Sequence, residues 1–321
     1  MEEFKNSFYR IATAIAGSNA KIAQGQLSFV DNFTSDAPML KGIPFQQASH
    51  SYHHAYGDIV GVDGMQEIDL DAPLPTMMVD TQLKSVPLKA FGGAIKFGED
   101  LMKKTHGTPD AYLSAQIPAL LRDSGARLET TLYTRYLLEH AIQIKKAIAG
   151  SEGVAGQKYG TMVAVTWNPN EMIGLYSPLP YNGGSDFGAF FRPEWANGKN
   201  RHDLGNGVYG YAATIKTLIG FLMANTRKIS AIVNIDGTPT PLQLASFVNA
   251  AQGGNGTGNT RIYCAPALRT SIAASYAQQF QGNGLVAVSS SGDVSIQGVP
   301  VVTSYNIPME YGRVTDVQIV A

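Results

Sequence analysis

The chain has 321 residues, which is enough for one large domain or two of ordinary size. Hydrophobic residues make up 44% of it, which excludes a disordered chain, while only 15% are charged, compared with about 25% in an average soluble protein. Interface cores are depleted in charge, so this composition favours a surface largely covered by other subunits. The formal net charge of −1 argues against a strong grip on nucleic-acid phosphates. The 34 glycines and 16 prolines indicate long connections, and a glycine-rich all-β binding protein has the same composition.

Cysteine content and apolar runs indicate where the protein is made. Cys264 is the one cysteine, so an internal disulfide is excluded, and its strand-like surroundings predict a buried thiol in a protein of a reducing compartment. The apolar run after Arg10 is short, and Glu2 and Glu3 place negative charge where a signal peptide has a positively charged start. No run approaches the ~20 apolar residues of a membrane span. We therefore expect a soluble protein that is made in the cytoplasm and contacts no membrane.

The first hundred residues predict an arm followed by a long hairpin. Residues 1–40 are weakly patterned, with a possible helix at Phe8–Ile15. Two extended stretches, Ile43–Val60 and Met77–Phe97, then flank a tip rich in Gly, Asp and Pro, Gly61–Pro75. Neither stretch alternates apolar and polar residues enough to form a core of its own. Because a two-stranded hairpin is unstable alone in water, it must lean on other structure, such as a neighbouring subunit.

The strongest secondary-structure signal is a long helix over residues 109–149. Thr108 supplies a capping hydroxyl, Pro109 suits the first turn, and Gly150 suits the residue after the end. Pro118 interrupts this helical pattern, because proline lacks the backbone N–H that a helix interior needs, and it predicts a kink or a later start of the helix. The apolar residues at helical spacing are Leu113, Ile117, Leu121, Leu128, Leu132, Tyr136, Ile144 and Ile148.

The remainder of the chain alternates strands with short helices, which is an α+β pattern. Helices are predicted to begin at Pro241, capped by Thr240, and at Pro266. Tyr211–Ala224 fits a helix or a strand, and its periodicity does not decide between them; the polar, Gly-rich segment 183–210 has no clear assignment. The face of the helix at Pro266 is formed by Leu268, Ile272 and Tyr276. The predicted strands are Met162–Trp167, Ile229–Ile235, Arg261–Cys264, Leu285–Val288, Val294–Gln297, Gly298–Val302 and Val314–Val320.

A histidine cluster is the first candidate for chemistry. His50, His53 and His54 are residues that could bind a metal ion, as in a metal-dependent hydrolase. In an extended stretch, however, His53 and His54 face opposite sides, so the pattern favours solvated or interface histidines.

Two loops are the other candidates, and each has a simpler interpretation. The glycine-rich loop 253–258 lacks the Lys-Ser/Thr pair of a phosphate-binding loop and precedes a strand, so it predicts a surface connection. Asp63, Glu67, Asp69 and Asp71 do not have the spacing of a calcium loop, so a solvated acidic tip is favoured. The sequence contains no Gly-x-Ser-x-Gly and no His-Glu-x-x-His motif. We therefore predict no catalytic, cofactor or metal site.

The order of elements points to one family. An arm, an extended hairpin, a long helix, a mixed sheet and a closing α+β region follow one another, and short segments within them match a family pattern. Those segments are Ser49–His54, Val79–Lys84, Phe91–Leu101, Arg227–Asp236, Ile262–Arg269 and Ile296–Val301. On these segments the chain resembles the major capsid (head) proteins of tailed double-stranded-DNA bacteriophages, particularly the short-tailed-phage-like branch. Encapsulins share this fold.

The resemblance implies a non-enzymatic shell subunit of a virion capsid. Its parts would be an N-terminal arm (1–40), an extended loop (41–100), a peripheral domain with the spine helix (101–211), an axial domain (212–300) and C-terminal strands that return to the peripheral domain (301–321). Its partners would be identical copies in hexamers and pentamers, scaffolding and portal proteins of a procapsid, and a decoration or cement protein. Contact with packaged double-stranded DNA would be weak and non-specific.

The same resemblance supplies candidates for contacts between subunits. Some relatives join the extended loop to a neighbour through a Lys–Asn isopeptide bond. Lys84 and Lys89 lie in the corresponding stretch, but no motif supplies the acid that this reaction needs, so we predict no cross-link. The candidate contact residues are His53, His54, Asp63, Asp69, Asp71, Lys84, Lys89, Asn255 and Asn259.

Three alternatives stay open at this point. An encapsulin-like bacterial compartment shell shares the fold, and neighbouring genes would separate the two: portal and terminase genes indicate a phage, and a cargo enzyme with a docking tail indicates a compartment. A metal-dependent hydrolase using the three histidines would contain bound metal. A cell-surface β-rich binding module would be monomeric and would carry a leader.

Overall fold

The chain folds around one long helix that packs against two β-sheets, and a two-stranded hairpin forms a third, separate sheet. The computed structural model describes residues 34–65, 67, 76–169, 171–178, 194–252, 259–277, 285–289, 292–315 and 317–319. The possible helix at Phe8–Ile15 lies outside these residues. Among the helices described, none has the length and apolar character needed to cross a membrane.

The elements are numbered in chain order. The strands are β1 (Phe45–Gln47), β2 (His53–Asp63), β3 (Met78–Pro87), β4 (Lys89–Gly98), β5 (Ala147–Ala149), β6 (Lys158–Thr166), β7 (Met172–Tyr176), β8 (Glu194–Trp195), β9 (His202–Asp203), β10 (Tyr209–Met223), β11 (Ile229–Ile235), β12 (Thr260–Cys264), β13 (Val286–Val288), β14 (Val294–Ile296), β15 (Val299–Thr303), β16 (Tyr311–Gly312) and β17 (Gln318–Ile319). The α-helices are α1 (Pro38–Gly42), α2 (Glu99–Thr105), α3 (Pro109–Thr131), α4 (Glu139–Gln143), α5 (Pro241–Gln252) and α6 (Pro266–Ala277), and short 3₁₀ helices cover Ala196–Lys199 and Thr226–Lys228.

The spine helix, residues 109–143, consists of α3, a π-helical segment (Leu132–Leu138) and α4. Its start is confirmed: the backbone N–H of Ala111 donates to the hydroxyl of Thr108 at 3.3 Å, which satisfies one of the free donors of the first turn. One face of the helix is buried against both sheets, and a fully buried Leu there typically stabilises the fold by ~1.5–3 kcal/mol. The buried side chains are Leu113, Ile117, Leu121, Leu128, Leu132, Tyr133, Leu137 and Leu138.

Two details of the helix prediction are wrong. The helix ends at Gln143, not at residue 149, because Lys145 adopts a φ of 57°, and Ala147–Ala149 then form a buried strand that pairs with β11. This pairing with a distant strand outweighs local helical preference. Pro118 is neither the start of the helix nor its end. The backbone carbonyl that Pro118 leaves without a donor belongs to the solvent-exposed Ser114, where water can reach it.

The first sheet has the strand order β1-β7-β10-β4, with β8 and β9 also paired to β10. Strand β10 is the segment that periodicity left undecided, and it joins the sheet along its whole length. Its pairing with β4 is close at Gly92, where a Cβ atom would lie 2.4 Å from the carbonyl oxygen of Ile215. A glycine is therefore needed at this point of the sheet.

The second sheet has the order β13-β14-β15-β12-β6-β11-β5-β17, with β16 added to β6. It lies between two helical layers, because alternate residues of its central strand β6 face opposite sides. Val163 and Val165 belong to the same core as the spine helix, whereas Met162 and Ala164 belong to the core formed with α5 and α6. The predicted strands Met162–Trp167, Ile229–Ile235 and Arg261–Cys264 are confirmed to within a few residues at their ends.

The two helices on the outer face of the second sheet are confirmed as well. At the start of α5 the side chain of Gln243 accepts from the backbone N–H of Thr240 at 2.9 Å, and the Thr240 hydroxyl accepts from the N–H of Gln243 at 3.3 Å. This reciprocal pair is a capping box. On α6 the predicted face is buried, with Ile272 fully inaccessible to solvent.

The end of the chain differs from the prediction. Val314–Val320 was expected to be one strand, but among the described residues of that range only Gln318–Ile319 form a strand, β17, and the short strand β16 precedes the range. Val314 lies outside both, because Asn234 clamps it: the Asn234 amide donates to the Val314 carbonyl at 2.7 Å, and the Val314 N–H donates to the Asn234 side-chain oxygen at 2.9 Å. Asn234 is buried, adopts a φ of 53°, and lies at an irregularity in the pairing of β11 with β6.

Candidate assembly surfaces

The hairpin of β2 and β3, residues 53–63 and 78–87, is the most exposed part of the described structure. Its strands pair antiparallel from His53 opposite Pro87 to Asp63 opposite Met78, with one irregularity between Ile59 and Gly61. Eleven residues in β2 give a strand of about 35 Å at ~3.3 Å per residue. The two flanking strands β1 and β4 belong to the first sheet, so the separate hairpin consists of residues 53–63 and 78–87 among those described.

Large apolar side chains of the hairpin are exposed from its middle to its distal end, on both faces. Several large apolar side chains exposed close together on a soluble protein usually mark a surface that another molecule covers. Only Tyr56 and Val86, near the root, pack against a buried cluster of the body. The exposed residues are Ile59 (61% exposed), Val60 (60%), Val62 (62%), Met65 (91%), Met77 (62%), Met78 (60%), Val79 (56%) and Leu83 (79%).

Charged residues of the hairpin lie in two places. Lys84 of β3 donates to the carboxylate of Asp58 on β2 at 2.5 Å, and this hydrogen bond raises the pKa of Lys84. Both side chains are partly solvated, so the pair adds little stability and chiefly fixes the direction of the lysine. Asp63 ends β2 at the distal end of the hairpin and is exposed.

The histidines meet at the opposite end, the root. The rings of His50 and His53 stack with centroids 4.4 Å apart and an interplanar angle of 9°. His54 accepts a hydrogen bond at Nδ1 from the backbone N–H of Ser49 at 3.1 Å. Burial lowers the pKa of His54, and the nearby His50 lowers it further. The sequence argument that His53 and His54 do not share a face is consistent with these different contacts.

This geometry does not create a metal site. Stacked rings direct their nitrogen lone pairs within parallel planes, and the Nδ1 lone pair of His54 is already used by Ser49. Among the described residues, no three His, Cys, Asp or Glu side chains are placed to hold a metal ion.

The remaining contact candidates are scattered. Lys89 begins β4 opposite Ile219 of the first sheet and is exposed. Asn259 precedes β12 in the second sheet, where its carbonyl accepts from the backbone N–H of Trp167 at 3.3 Å. Asp69, Asp71 and Asn255 lie outside the described residues. The described candidates therefore do not form one site: they lie at the two ends of the hairpin, at its middle, in the first sheet and directly before a strand of the second.

A groove between β4 and the spine helix is a feature that the sequence did not predict. It has a volume of about 240 Å³ and an apolar floor. The hydroxyl of Thr217 lines the groove, is buried, and has no hydrogen-bond partner within the described part of the chain. A buried polar atom without a partner costs ~1–3 kcal/mol, and Nε2 of His140 is the other such atom within the described residues. The other lining residues are Phe91, Gly92, Gly93, Ala94, Ile95, Leu120, Leu121, Asp123, Ser124, Arg127 and Ile215.

A buried carboxylate is the second feature that was missed. Glu129 of the spine helix is inaccessible to solvent and accepts hydrogen bonds from the Ser304 hydroxyl at 2.6 Å and the Asn306 amide at 2.5 Å. Burial raises the pKa of Glu129, and its hydrogen bonds oppose this shift without reversing it. The signal for such a site in the sequence is a charged residue directly after Leu128, on the apolar face of the helix.

The comparisons with known proteins identify the fold. No family model matches the chain, and no curated protein matches it. Among solved structures, a chain in the cryo-EM structure of bacteriophage Epsilon15 matches with a TM-score of 0.55 and 15% identity, over 85% of this chain and 88% of that one. A chain of the bacteriophage JBD30 capsid matches with a TM-score of 0.54 and 9% identity, over 85% of this chain and 92% of that one. The protein therefore has the α+β fold of phage major capsid proteins, as the sequence resemblance implied.

Proposed function

We propose that this protein is the major capsid protein of a tailed bacteriophage, which assembles into hexamers and pentamers of an icosahedral shell around the phage genome. The observation that carries this proposal is the fold, which is shared with phage capsid chains over 85% of the sequence. A role as a shell subunit requires no catalytic site.

The exposed hairpin supports self-association. Each of its exposed apolar side chains gains roughly 25 cal/mol for every Å² that a neighbour covers. In a closed shell every subunit contacts several others, so contacts that are individually modest act together. We infer that the hairpin lies across a neighbouring copy, with the stretch from its middle to its distal end as the contact surface.

We also propose a role for each part of the chain. Residues 1–40 would act as an arm, 41–100 as the extended loop, 101–211 as the peripheral domain, 212–300 as the axial domain and 301–321 as strands that return to the peripheral domain. The position of the second sheet between the spine helix and α5 and α6 supports a link between the peripheral and axial parts.

Partners and location follow from the proposed role. The subunit would be made in the host cytoplasm, assemble with scaffolding and portal proteins into a procapsid, and reside in the virion, where a decoration or cement protein would bind. A net charge of −1 suits an inner wall that contacts DNA weakly. We propose no covalent cross-link, so the dissociated shell should run as single chains on a denaturing gel.

The direct test is assembly. The purified protein, with its scaffolding partner supplied, should form capsomers or closed shells in negative-stain electron microscopy. A monomer that forms no particles at high concentration under these conditions would contradict the proposal. Genes for a portal and a terminase beside this one would separate a phage capsid from a compartment shell, which would instead have a cargo enzyme as its neighbour.

Two hairpin variants test where subunits meet. Deleting Gly61–Pro75 should leave the circular dichroism spectrum of the subunit nearly unchanged and prevent closed shells. Leu83→Asp places a charge on the exposed face of the hairpin and should have the same effect. Val154→Asp is the matched control, because Val154 is an exposed apolar residue (59%) outside the hairpin. Normal shells from both hairpin variants would exclude the hairpin as the contact surface.

A further inference from the structure

The turn at the root of the hairpin is held by a backbone hydrogen bond from the N–H of His50 to the carbonyl of His53 at 3.1 Å and by contacts of its histidine side chains. The hydroxyl of Ser49 accepts from the backbone N–H of Ala55 at 2.8 Å and lies 2.9 Å from Nδ1 of His50. The backbone N–H of Ser49 donates to Nδ1 of His54. The stacked ring of His53 completes the cluster. Ser49 is thus connected by hydrogen bonds to three residues of the turn, two of which are histidines.

This turn joins the hairpin to the body. Beyond it, three contacts fix the root: the N–H of Leu88 donates to the carbonyl of Tyr52 at 2.8 Å, the hydroxyl of Ser177 donates to the carbonyl of Ser51 at 2.6 Å, and the N–H of Ala48 donates to the carbonyl of Tyr176 at 2.8 Å. Apart from Tyr56 and Val86, no described apolar residue of the hairpin packs against a buried cluster of the body. The direction of the hairpin therefore depends on this turn and on its second connection to the body, where β3 continues through the buried Leu88 into β4.

The hydrogen bond from Ser49 to His54 requires a neutral histidine. Nδ1 of His54 accepts this hydrogen bond through its lone pair. A proton bound to Nδ1 turns it into a donor, which would then face the N–H of Ser49, another donor. The Ser49–His50 contact is different, because a protonated Nδ1 of His50 can donate to the hydroxyl oxygen. Two protonated rings at the separation of His50 and His53 repel each other.

We propose that the histidines at the hairpin root form a pH-sensitive hinge, in which neutral side chains hold the hairpin in one direction and protonation releases it. The relevant range follows from the sign of the shift. Burial, and then His50, lower the pKa of His54. The closed turn therefore binds a proton less well than an open one, so it is stable above the ordinary histidine pKa of about 6.5 and loses stability as the pH falls below it.

Other titratable groups do not compete for this role. Tyr56 follows on β2 and is opposite Lys84 on β3, and Lys84 is engaged by Asp58 farther out along the hairpin. On the body side, the turn is hydrogen-bonded to the backbone of Leu88 and Tyr176 and to the hydroxyl of Ser177.

The expected effect is measurable on the whole, unassembled chain. Hydrogen exchange of a peptide spanning residues 48–56, corrected for the intrinsic pH dependence, should accelerate by up to about tenfold between about pH 7.5 and about pH 5.5. At about pH 5.5 the protonated form of a free histidine exceeds the neutral form roughly tenfold, and this ratio sets the upper limit of the effect of His54 alone. An unchanged corrected rate would overturn the proposal.

A distance measurement reads the hairpin direction itself. Spin labels at Gln82→Cys on the hairpin and Lys104→Cys on α2 are specific, because the native thiol of Cys264 is buried and unreactive. The distance distribution should be narrow at the higher pH and broad or shifted at the lower pH. Equal distributions at the two values would contradict the hinge.

Three variants identify the responsible group. His54→Asn keeps an acceptor at the Nδ1 position but cannot be protonated, so the narrow distribution should persist at both pH values. His54→Ala removes the acceptor and should give the broad distribution at both. His106→Gln changes an exposed histidine outside the cluster and should behave as the wild type.

The His54→Asn variant decides the proposal: if it responds to pH as the wild type does, the proposal is overturned. If circular dichroism shows that this variant does not fold, the exchange experiment on the wild type decides instead. The inference does not depend on shell formation, so its failure and that of the proposed function are separable.

Discussion

Glu129 accepts a hydrogen bond at 2.5 Å from the backbone N–H of Met39, a residue 90 positions earlier in the chain. The other carboxylate oxygen accepts from Ser304 and Asn306, which lie 175 and 177 positions away from Glu129. The amide of Asn306 also donates to the carbonyl of Asp36 at 2.6 Å. One buried side chain of the spine helix therefore joins the segment around α1 to the segment after β15.

Replacing this carboxylate should destabilise the subunit strongly. Glu129→Ala leaves three donors without their acceptor in a buried site, and we expect the free energy of unfolding to fall by about 3 kcal/mol or more. Urea denaturation followed by circular dichroism measures the change. Asp123→Ala is the control on the same helix, since its ion pair with Arg127 is exposed, and it should cost no more than about 0.5 kcal/mol. Equal effects of the two variants would show that the Glu129 network contributes no more to the free energy of unfolding than an exposed ion pair does.

The raised pKa of Glu129 also predicts a pH dependence. A carboxyl whose folded-state pKa lies above its ordinary value binds a proton more tightly in the folded than in the unfolded protein. Its contribution to stability is therefore fully present below the unfolded pKa and is lost as the pH rises through the folded pKa. Glu129→Gln removes this titration. Between about pH 7 and about pH 5, the unfolding free energy of the wild type should increase relative to that of the variant. A difference that stays constant across this range would contradict the assignment.

Two buried threonines provide a matched pair for the groove. The hydroxyl of Thr217 has no partner in the described structure, whereas that of Thr161 bonds to the hydroxyl of Tyr133 at 2.8 Å, and both residues are 3% exposed. Thr217→Val should leave stability unchanged or raise it by about 1 kcal/mol, because no hydrogen bond is lost. Thr161→Val should lower it by about 1–3 kcal/mol. Thermal unfolding of both variants measures the contrast, and a clear loss for Thr217→Val would reveal a partner for its hydroxyl.

The parts of the fold that the sequence predicted are those set by local physics. The cap at Thr108, the capping box at Thr240 and the apolar stripe of the spine helix depend on residues within one or two turns of each other. The short strand Ala147–Ala149 was missed because its conformation depends on pairing with β11, more than 80 residues away. The conformation of β10 could not be decided from the sequence for the same reason: it depends on pairing with two different strands, β4 and β7, along its length.

The candidate site was predicted less well than the fold. An exposed hairpin without its own core could be recognised from its composition, because the absence of an apolar alternation is visible in the sequence. The particular contacts could not: the Ser49–His54 bond, the groove at Thr217 and the Glu129 network each join residues that only the tertiary fold brings together. His53 and Asp63 were both predicted as candidates for contacts between subunits, and the structure places them at opposite ends of the hairpin.

Asn234 offers a final test of how the end of the chain is held. Its side chain clamps the backbone of Val314, and its own φ of 53° is a conformation that asparagine tolerates better than most residues. Asn234→Ala loses two buried hydrogen bonds and forces alanine into the left-handed region, so we expect a loss of about 3 kcal/mol, and faster hydrogen exchange in β17. Asn206→Ala is the control, because Asn206 has a similar φ of 55° but is exposed, and it should lose only the backbone contribution of about 1 kcal/mol. If both variants are destabilised equally, the clamp adds nothing and strand β17 must be held by its pairing with β5 alone.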